Sequence, residues 1–471
     1  MSHANRAVTY HEIRDPIHAF VRLDSSEVTV VNSRPIQRLR HIQQLALTNF
    51  IYPAATHKRF EHCLGVMELA GRVYDTITNP NNVQPEMLYL VPKSGEHAFS
   101  YWRLVVRMAA LCHDIGHLPF SHAAEHMLPL KHGHEEISRD LIQSDIMQPI
   151  WSDLKVDPRD VAKIAVGAKH HPDRLDLWES ILSEIIIGDT FGVDRMDYLL
   201  RDSHHVGVAY GRFDHFRLID TIRILPKGDI GDPTIGNKDQ LKLPVFQTEE
   251  ELERLRNEEA SKEPTLGIES GGLQSAEGLL WARQFMWSQV YLHPTRQVYD
   301  LHLADFLHDW LPNGQFSTDT EKHLRLTDNE VMTALLEASR DPNAPGHDAA
   351  VCIIERKHFR RVYEGSPTDR KLTLNATDLI YKALVEKYGI ENVKMKVRNP
   401  GSEGRHFPVL TSSGKCESST VLSETFKKMP VVSANNVFVR PSLRDDAKSW
   451  IDREKDNILR RGRDEEKAND Q

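Results

Sequence analysis

The stretch from Trp102 to Ile115 constrains this chain more than any other. Leu104, Val105, Val106, Met108, Ala109, Ala110 and Leu111 leave it almost no polar face. A helix apolar all round has to be buried, so the segment reads as a central helix. It runs directly into His113-Asp114, and a carboxylate beside an imidazole is expensive to bury unless the two are paired or bind a metal. Adjacent helical residues point about 100° apart. Both can still reach one ion beyond the helix end, where Gly116 and Pro119 interrupt the turn. As a lone dipeptide His-Asp carries little information, and a capping histidine beside an ion-paired aspartate is its ordinary explanation.

Around this segment the pattern is helical from about residue 32 to 225. Asn32-Ser33 ahead of Pro35 reads as a helix start. Residues 62–74 place Leu64, Met67, Leu69 and Val73 near one face, and further helices fit 134–143, 158–170, 176–188 and 193–204. Earlier, Tyr10 to Val31 alternates apolar and polar positions, with breaks at Asp15-Pro16 and Asp24-Ser25-Ser26, which predicts a β-hairpin within 1–31. Residues 226–270 are polar and punctuated by Gly and Pro. With the run EEELERLRNEE they read as an insertion, partly disordered or a short solvated helix. A long helix over about 273–310, within 271–310, completes the core. The remainder, 311–471, reads as an α+β lobe in which VCIIERKHFRRVYE and NVKMKV are strands and about 442–465 is a charged helix. The expected class is mainly α, with a helical core, a short N-terminal β-hairpin and a smaller α+β C-terminal lobe.

At roughly 150 residues per domain, 471 residues make about three domains, or one large domain with appendages. A 40% hydrophobic and 27% charged composition excludes disorder of the whole chain. No stretch reaches the ~18 consecutive apolar residues of a spanning helix. The first twenty residues lack the apolar centre of a signal peptide, so a cytoplasmic protein with no membrane partner is expected. The net charge of −9 argues against a surface that wraps nucleic acid, while a small basic pocket for a phosphorylated molecule stays compatible with it. Cys63, Cys112, Cys352 and Cys416 are far apart and lack CxxC spacing, so neither a structural disulfide nor a thiolate zinc site is expected. Cys63 and Cys112 read as small buried fillers.

The unusual count is 25 histidines, many of them between His57 and His205. His62, in HKRFEHCLGV, and Asp194, in GVDRMDY, join His113 and Asp114. Two imidazoles and two carboxylates from three separate helices suit one borderline divalent ion (Fe, Mn, Zn or Ni), with positions left for water and phosphate. Water on such an ion has a lowered pKa and can attack phosphorus at neutral pH.

The segments HKRFEHCLGV, LCHDIGHLPFSHAAEH and GVDRMDYLLRDSHHVGVAYGRFD, in that order, resemble the HD-domain phosphohydrolase superfamily and, within it, the deoxynucleoside-triphosphate triphosphohydrolase branch. The likeness runs over about residues 10–310 and more weakly beyond. It implies a helical HD-domain core, and it places the family's metal ligands on His62, His113, Asp114 and Asp194. It places phosphate-side histidines on His117, His122 and His134, and on Glu125 the carboxylate that orients the acid histidine; some members have Asp there. By the same resemblance Arg59 contacts a phosphate, and Arg195, Tyr198 and Arg283 line the triphosphate. Asp202 and Tyr291 read the deoxyribose, and Gln44 lies near the 3′-hydroxyl. Some relatives carry lysine where Arg195 stands; arginine keeps the charge and adds a bidentate fork. Tyr291 also belongs to an apolar stripe with Leu279, Leu280, Phe285, Met286 and Val290, so core packing is its alternative role.

The resemblance therefore implies metal-dependent hydrolysis of a deoxynucleoside triphosphate to deoxynucleoside and inorganic triphosphate, with Mg on the triphosphate. It adds an activating nucleotide, near Gln37 and Arg40, and a homo-oligomer as further expectations. Other HD chemistries stay open: a nuclease or a phosphohydrolase of different specificity, a cyclic-dinucleotide or alarmone hydrolase, or a nucleotide-sensing module.

Overall fold

The computed structural model describes residues 10–131, 133–227, 263–398, 405–430 and 432–469, without the side chains of His122, His126 and 464–469. The chain opens on β1 (His11–Asp15) and β2 (Ala19–Leu23), paired antiparallel with Ile13 opposite Val21. The hairpin stops well short of Val31, a correction to the sequence reading. Ser25–Val31 is a helix, α1, because Asp24 accepts from Ser26 N and Glu27 N while Glu27 accepts from Asp24 N. That reciprocal cap outweighs the alternation of Val28 and Val30.

The helical body then follows as α2 (Arg34–Arg38), α3 (Arg59–Ile77), α4 (His97–Cys112), α5 (His134–Ile142), α6 (Gln148–Leu154), α7 (Pro158–Val166), α8 (Leu177–Ile187), α9 (Val193–Val206) and α10 (His215–Thr221). Its axis is α4, buried at every position from Val105 to Cys112 and packed against α3 and α7. The charged residue in that run, Arg107, is held by Glu27 of α1 and by the Arg22 carbonyl, to which Nη2 donates at 2.9 Å. A buried cation needs such partners.

Seven further strands are described: β3 (Ile222–Pro226), β4 (Pro264–Glu269), β5 (Arg360–Glu364), β6 (Val393–Arg398), β7 (Pro408–Leu410), β8 (Cys416–Ser418) and β9 (Ala434–Val439). They form one sheet in the order β3-β4-β7-β8 and another in the order β5-β9-β6. The reading of 226–270 as a polar insertion is thus corrected at its C-terminal flank, where Pro264–Glu269 pairs with β3. Residues 228–262, on which the expected disorder or solvated helix falls, lie outside the described residues.

The expected single helix over 273–310 is two, α11 (Leu273–Met286) and α12 (Pro294–Trp310), joined by a π-helical turn over Trp287–Tyr291. Pro294 lacks an N–H and starts a new helix, and His293 caps it by accepting from Thr295 N. Next come α13 (Thr320–Arg325), α14 (Asp328–Ala338) and α15 (His347–Ile354). The segment VCIIERKHFRRVYE is therefore a strand only from Arg360; its start ends α15. The sheet β5-β9-β6 and the helices Ala376–Tyr388 and Arg444–Asn469 close a separate core on Val362, Ile380, Leu384, Val437, Ile451 and Leu459. The class is mainly α, with a small N-terminal sheet and a C-terminal α+β lobe, as read from the sequence.

Candidate active site

Three helices deliver the metal-ligand candidates. His62 stands near the start of α3, His113 caps the C-terminus of α4 with Asp114 after it, and Asp194 lies in the first turn of α9. His62 Nδ1 faces Asp197 Oδ2 at 2.8 Å, and His113 Nδ1 faces the Ala110 carbonyl at 2.7 Å. A carbonyl and an ionised carboxylate only accept, so both Nδ1 atoms carry protons and each Nε2 is turned inward. His62 Nε2 lies 3.0 Å from Asp194 Oδ1 and 3.8 Å from Asp114 Oδ2. His113 Nε2 lies 3.3 Å from Asp114 Oδ1 and 3.6 Å from Asp194 Oδ1. Both Nε2 atoms are buried, and among the described residues neither has a hydrogen-bond partner. Two buried imidazole nitrogens facing two carboxylates, orphaned as hydrogen bonders, are the donor set a divalent transition ion takes. The residues present fit such an ion. Burial opposes charge on Asp114, yet Arg59, His113 and His117 hold its carboxyl well below the usual carboxylate range.

Behind His62 stands Asp197, which the sequence reading passed over as a functional residue. Its carboxylate also meets His18 Nε2 at 2.6 Å and accepts from Arg201 Nε and Nη2 at 2.8 and 2.9 Å. Arg201 Nη1 reaches Asp15 Oδ2 at 2.8 Å, and Asp15 Oδ1 accepts from Ile17 N and His18 N. The β1–β2 hairpin is thereby tied to the back of the candidate metal centre, and the tautomer of His62 is set by a carboxylate, as metal-binding histidines require. Gly65 makes room: a Cβ there would stand 1.9 Å from Asp197 Oδ1. The signal was present in the sequence, since Asp194, Asp197 and Arg201 recur at spacings of three and four on one face of α9.

On the other side of Asp114, the Gly116 turn lets α5 approach; a Cβ on Gly116 would lie 2.3 Å from the His134 carbonyl. His117 and His134 consequently stack, with ring centroids 3.7 Å apart. Burial, together with the charges of Arg59 and His134, keeps His117 well below its ordinary value. Burial also opposes charge on His134, but Glu125 and Glu135 outweigh it and raise its pKa. Glu125 Oε1 meets His134 Nδ1 and accepts from His134 N at 3.3 Å, whereas the side chain of His122 lies outside the described residues. Arg59 pairs with Asp114 and donates to Ser121 Oγ from Nε and Nη2 at 3.0 and 2.8 Å.

A cavity of about 790 Å³ runs through this region, and His113, His117, His134, Asp194, Arg59 and Gln44 are on its wall with Tyr198, Asp202 and Tyr291. Asp202 Oδ2 accepts from Tyr291 OH at 2.7 Å, and its Oδ1 meets His57 Nε2 at 2.7 Å. Tyr291 is 9% exposed, so it is both core and wall. Arg195 and Arg283 are not among the lining residues; the cations there include Arg296, Arg398 and Lys227. Arg296 donates to the Tyr291 carbonyl at 2.7 Å, and Arg398 lies over the Trp287 ring at 4.9 Å. These come from far along the chain, and no local pattern announces them. Among the described residues, no helix is long and apolar enough to cross a membrane.

Fold and site together define a mainly helical protein with a buried His/Asp cluster that could hold a metal ion. Residues 59–187 match the HD domain family and residues 251–392 the HD associated region, so the chain carries both. An uncharacterized protein of Methanocaldococcus jannaschii is 32% identical over 288 residues, 61% of this chain and 47% of that protein. Human deoxynucleoside triphosphate triphosphohydrolase SAMHD1 is 33% identical over 253 residues, 48% of this chain and 38% of that protein. The chain thus spans under half the length of these two relatives. Among solved structures, a hypothetical protein from Aquifex aeolicus superposes with a TM-score of 0.72 at 27% identity, over 94% of this chain and 99% of that one.

Proposed function

We propose that this chain hydrolyses deoxynucleoside triphosphates to deoxynucleoside and inorganic triphosphate, using one bound transition ion held by His62, His113, Asp114 and Asp194. The observation that carries the reading is one cavity whose wall includes His113 and Asp194 of the cation site together with the hydrogen-bonded Asp202–Tyr291 pair. The likeness to the human triphosphohydrolase supports it. When bound, the ion supplies a water of lowered pKa. The chain's own residues do the rest. Arg59, now paired with Asp114, is drawn toward a phosphate that competes for its guanidinium. His117 and His134 are assigned to the phosphate chain, the pKa of His134 raised by Glu125 and Glu135 against burial and that of His117 lowered by burial. Of the residues the resemblance gives to the triphosphate, Tyr198 is on the cavity wall while Arg195 and Arg283 are not, so Lys227, Arg296 and Arg398 are the further cations we assign to its charge. His122, which the resemblance pairs with Glu125, is assigned to protonate the departing 5′-oxygen, and the cations offset charge that grows in the transition state.

In this reaction the water oxygen bonds to the α-phosphorus and the P–O5′ bond breaks. Run in ¹⁸O-labelled water, it should place label in tripolyphosphate and leave the deoxynucleoside unlabelled. Pyrophosphate or orthophosphate as the first product would overturn the proposal, and so would robust cleavage of single-stranded DNA that needs the same metal.

Sugar choice gives a second test. Tyr291 held against Asp202 leaves little room for a 2′-hydroxyl, so GTP should be turned over far more slowly than dGTP. Tyr291→Phe removes one hydrogen bond and should shrink that preference by about three- to tenfold. Equal kcat/KM for GTP and dGTP in the unsubstituted enzyme would assign Tyr291 to the core alone.

A further inference from the structure

Asp328 comes far later in the chain than the residues matched to the HD domain, in the first turn of α14, and is only 4% exposed. It is not used to cap its own helix. Thr327 and Glu330 do that, with Glu330 Oε2 accepting from Thr327 N at 2.7 Å and Thr327 Oγ1 accepting from Asn329 N at 3.3 Å. The two carboxylate oxygens of Asp328 instead serve two different loops. Oδ2 accepts from Gln43 N at 2.7 Å, and Oδ1 accepts from Phe120 N at 2.8 Å. Gln43 immediately precedes Gln44 of the cavity wall, and Phe120 stands between the wall residues His117 and Ser121. Ser121 Oγ, which holds Arg59, also donates to the Gln43 carbonyl at 3.3 Å.

The backbone gives this arrangement its weight. Phe120 and Ser121 sit side by side at φ of 55° and 56°, left-handed conformations that side chains disfavour. Such strain persists only where the surroundings over-determine it. Arg38 is the other brace: Nη1 donates to the His117 carbonyl at 2.9 Å, and Nε and Nη2 donate to the Leu326 carbonyl at 3.0 and 2.8 Å.

We propose that Asp328 is a positioning residue whose carboxylate clamps the Gln43–Gln44 loop to the His117–Ser121 loop and holds the strained backbone between them. Gln44, His117 and, through Ser121, Arg59 are thereby kept in register. Only an ionised carboxylate offers a charged acceptor to both N–H groups at once; an amide in its place can satisfy one. The cations acting on Asp328 are Lys58 at the start of α3 and Arg38 of α2, and Glu330, on the same helix as Asp328, acts on Arg38. Burial pushes the carboxyl up to about 6 against the pull of the two N–H groups, Lys58 and Arg38. The clamp is therefore complete above that pH and weakens as the carboxyl takes up a proton below it.

The test has an arm that needs no substrate. In the full-length, metal-loaded protein, Asp328→Asn should lower hydrogen-exchange protection at 42–46 and 116–124 by about tenfold or more. Helices α7 and α8 should keep theirs, and metal content should not change. The unsubstituted protein should lose protection in the same two loops between pH 7 and pH 5, a measurement that stands even if the variant does not fold. The kinetic arm rests on the proposed activity. With whichever of the four common dNTPs is hydrolysed fastest, kcat should fall about ten- to a hundredfold with KM within about threefold, and the acid limb near pH 6 should disappear. Unchanged exchange in both loops overturns the clamp, and so does loss of protection spread evenly over the chain. If no dNTP is hydrolysed, the functional reading fails while the exchange result still decides the role of Asp328.

Discussion

Replacing Asp194 by Ala is expected to abolish both metal retention and hydrolysis while the chain stays folded. Asp194 Oδ1 lies within 3.0 Å of His62 Nε2 and 3.6 Å of His113 Nε2, so it faces both inward imidazoles at once. Its side chain is a third exposed, and removing it opens no large core cavity. The loss of metal affinity should exceed the 10–100-fold that removing an outer hydrogen-bond partner costs, because a direct donor and a charge are lost together. Elemental analysis of purified protein checks it, alongside activity and a thermal melt. Unchanged metal content in Asp194→Ala would remove Asp194 from the ligand set.

The second large effect lies behind the site. Arg201→Ala leaves Asp197 and Asp15 buried without the guanidinium that spans them, and Arg201 is itself completely buried. Breaking a buried ion pair from one side costs about 3–5 kcal/mol, so a large drop in the denaturant midpoint is expected. Metal affinity should fall as well, by about 10–100-fold, since Asp197 is freed to move away from His62. The pH dependence has a definite sign. Burial opposes the charge on Asp197, but Arg201, His18 and His62 hold its carboxyl well below the usual range. A carboxylate with a depressed folded-state pKa contributes stability above its unfolded value, about 3.9, and loses it as pH falls toward the folded one. The variant and the parent should therefore converge in stability in acid. A constant gap down to pH 2 would show that Arg201 acts through packing alone.

Much of the site was legible because its chemistry is carried in short segments. His62, His113-Asp114 and Asp194 each sit where a helix begins or ends, and those ends are visible in the pattern of apolar residues, Gly and Pro. The hairpin limit at Val31 was misread because a capping box at Asp24 and Glu27 and a strand alternation at Val28 and Val30 occupy the same few residues. The break between α11 and α12 was passed over although Pro294 was in view, since the apolar stripe runs on through the π-helical turn.

From local order alone come the central buried helix, the mainly helical class and the separate candidates for a metal ligand, while their convergence from three helices belongs to the fold. Helix periodicity and the cost of burying a charge act over a few residues, so the chain's own order carries them. The partnerships are a different matter. Asp197 with His18 and Arg201 with Asp15 join positions 179 and 186 residues apart, and Asp328 reaches Phe120 across 208. Lys227, Arg296 and Arg398 come to the cavity wall from separate segments, while Arg195 and Arg283 do not line it. Which charges meet depends on how helices pack and which loops a buried carboxylate can bridge, and only the folded chain, where every buried charge must find a partner, decides that.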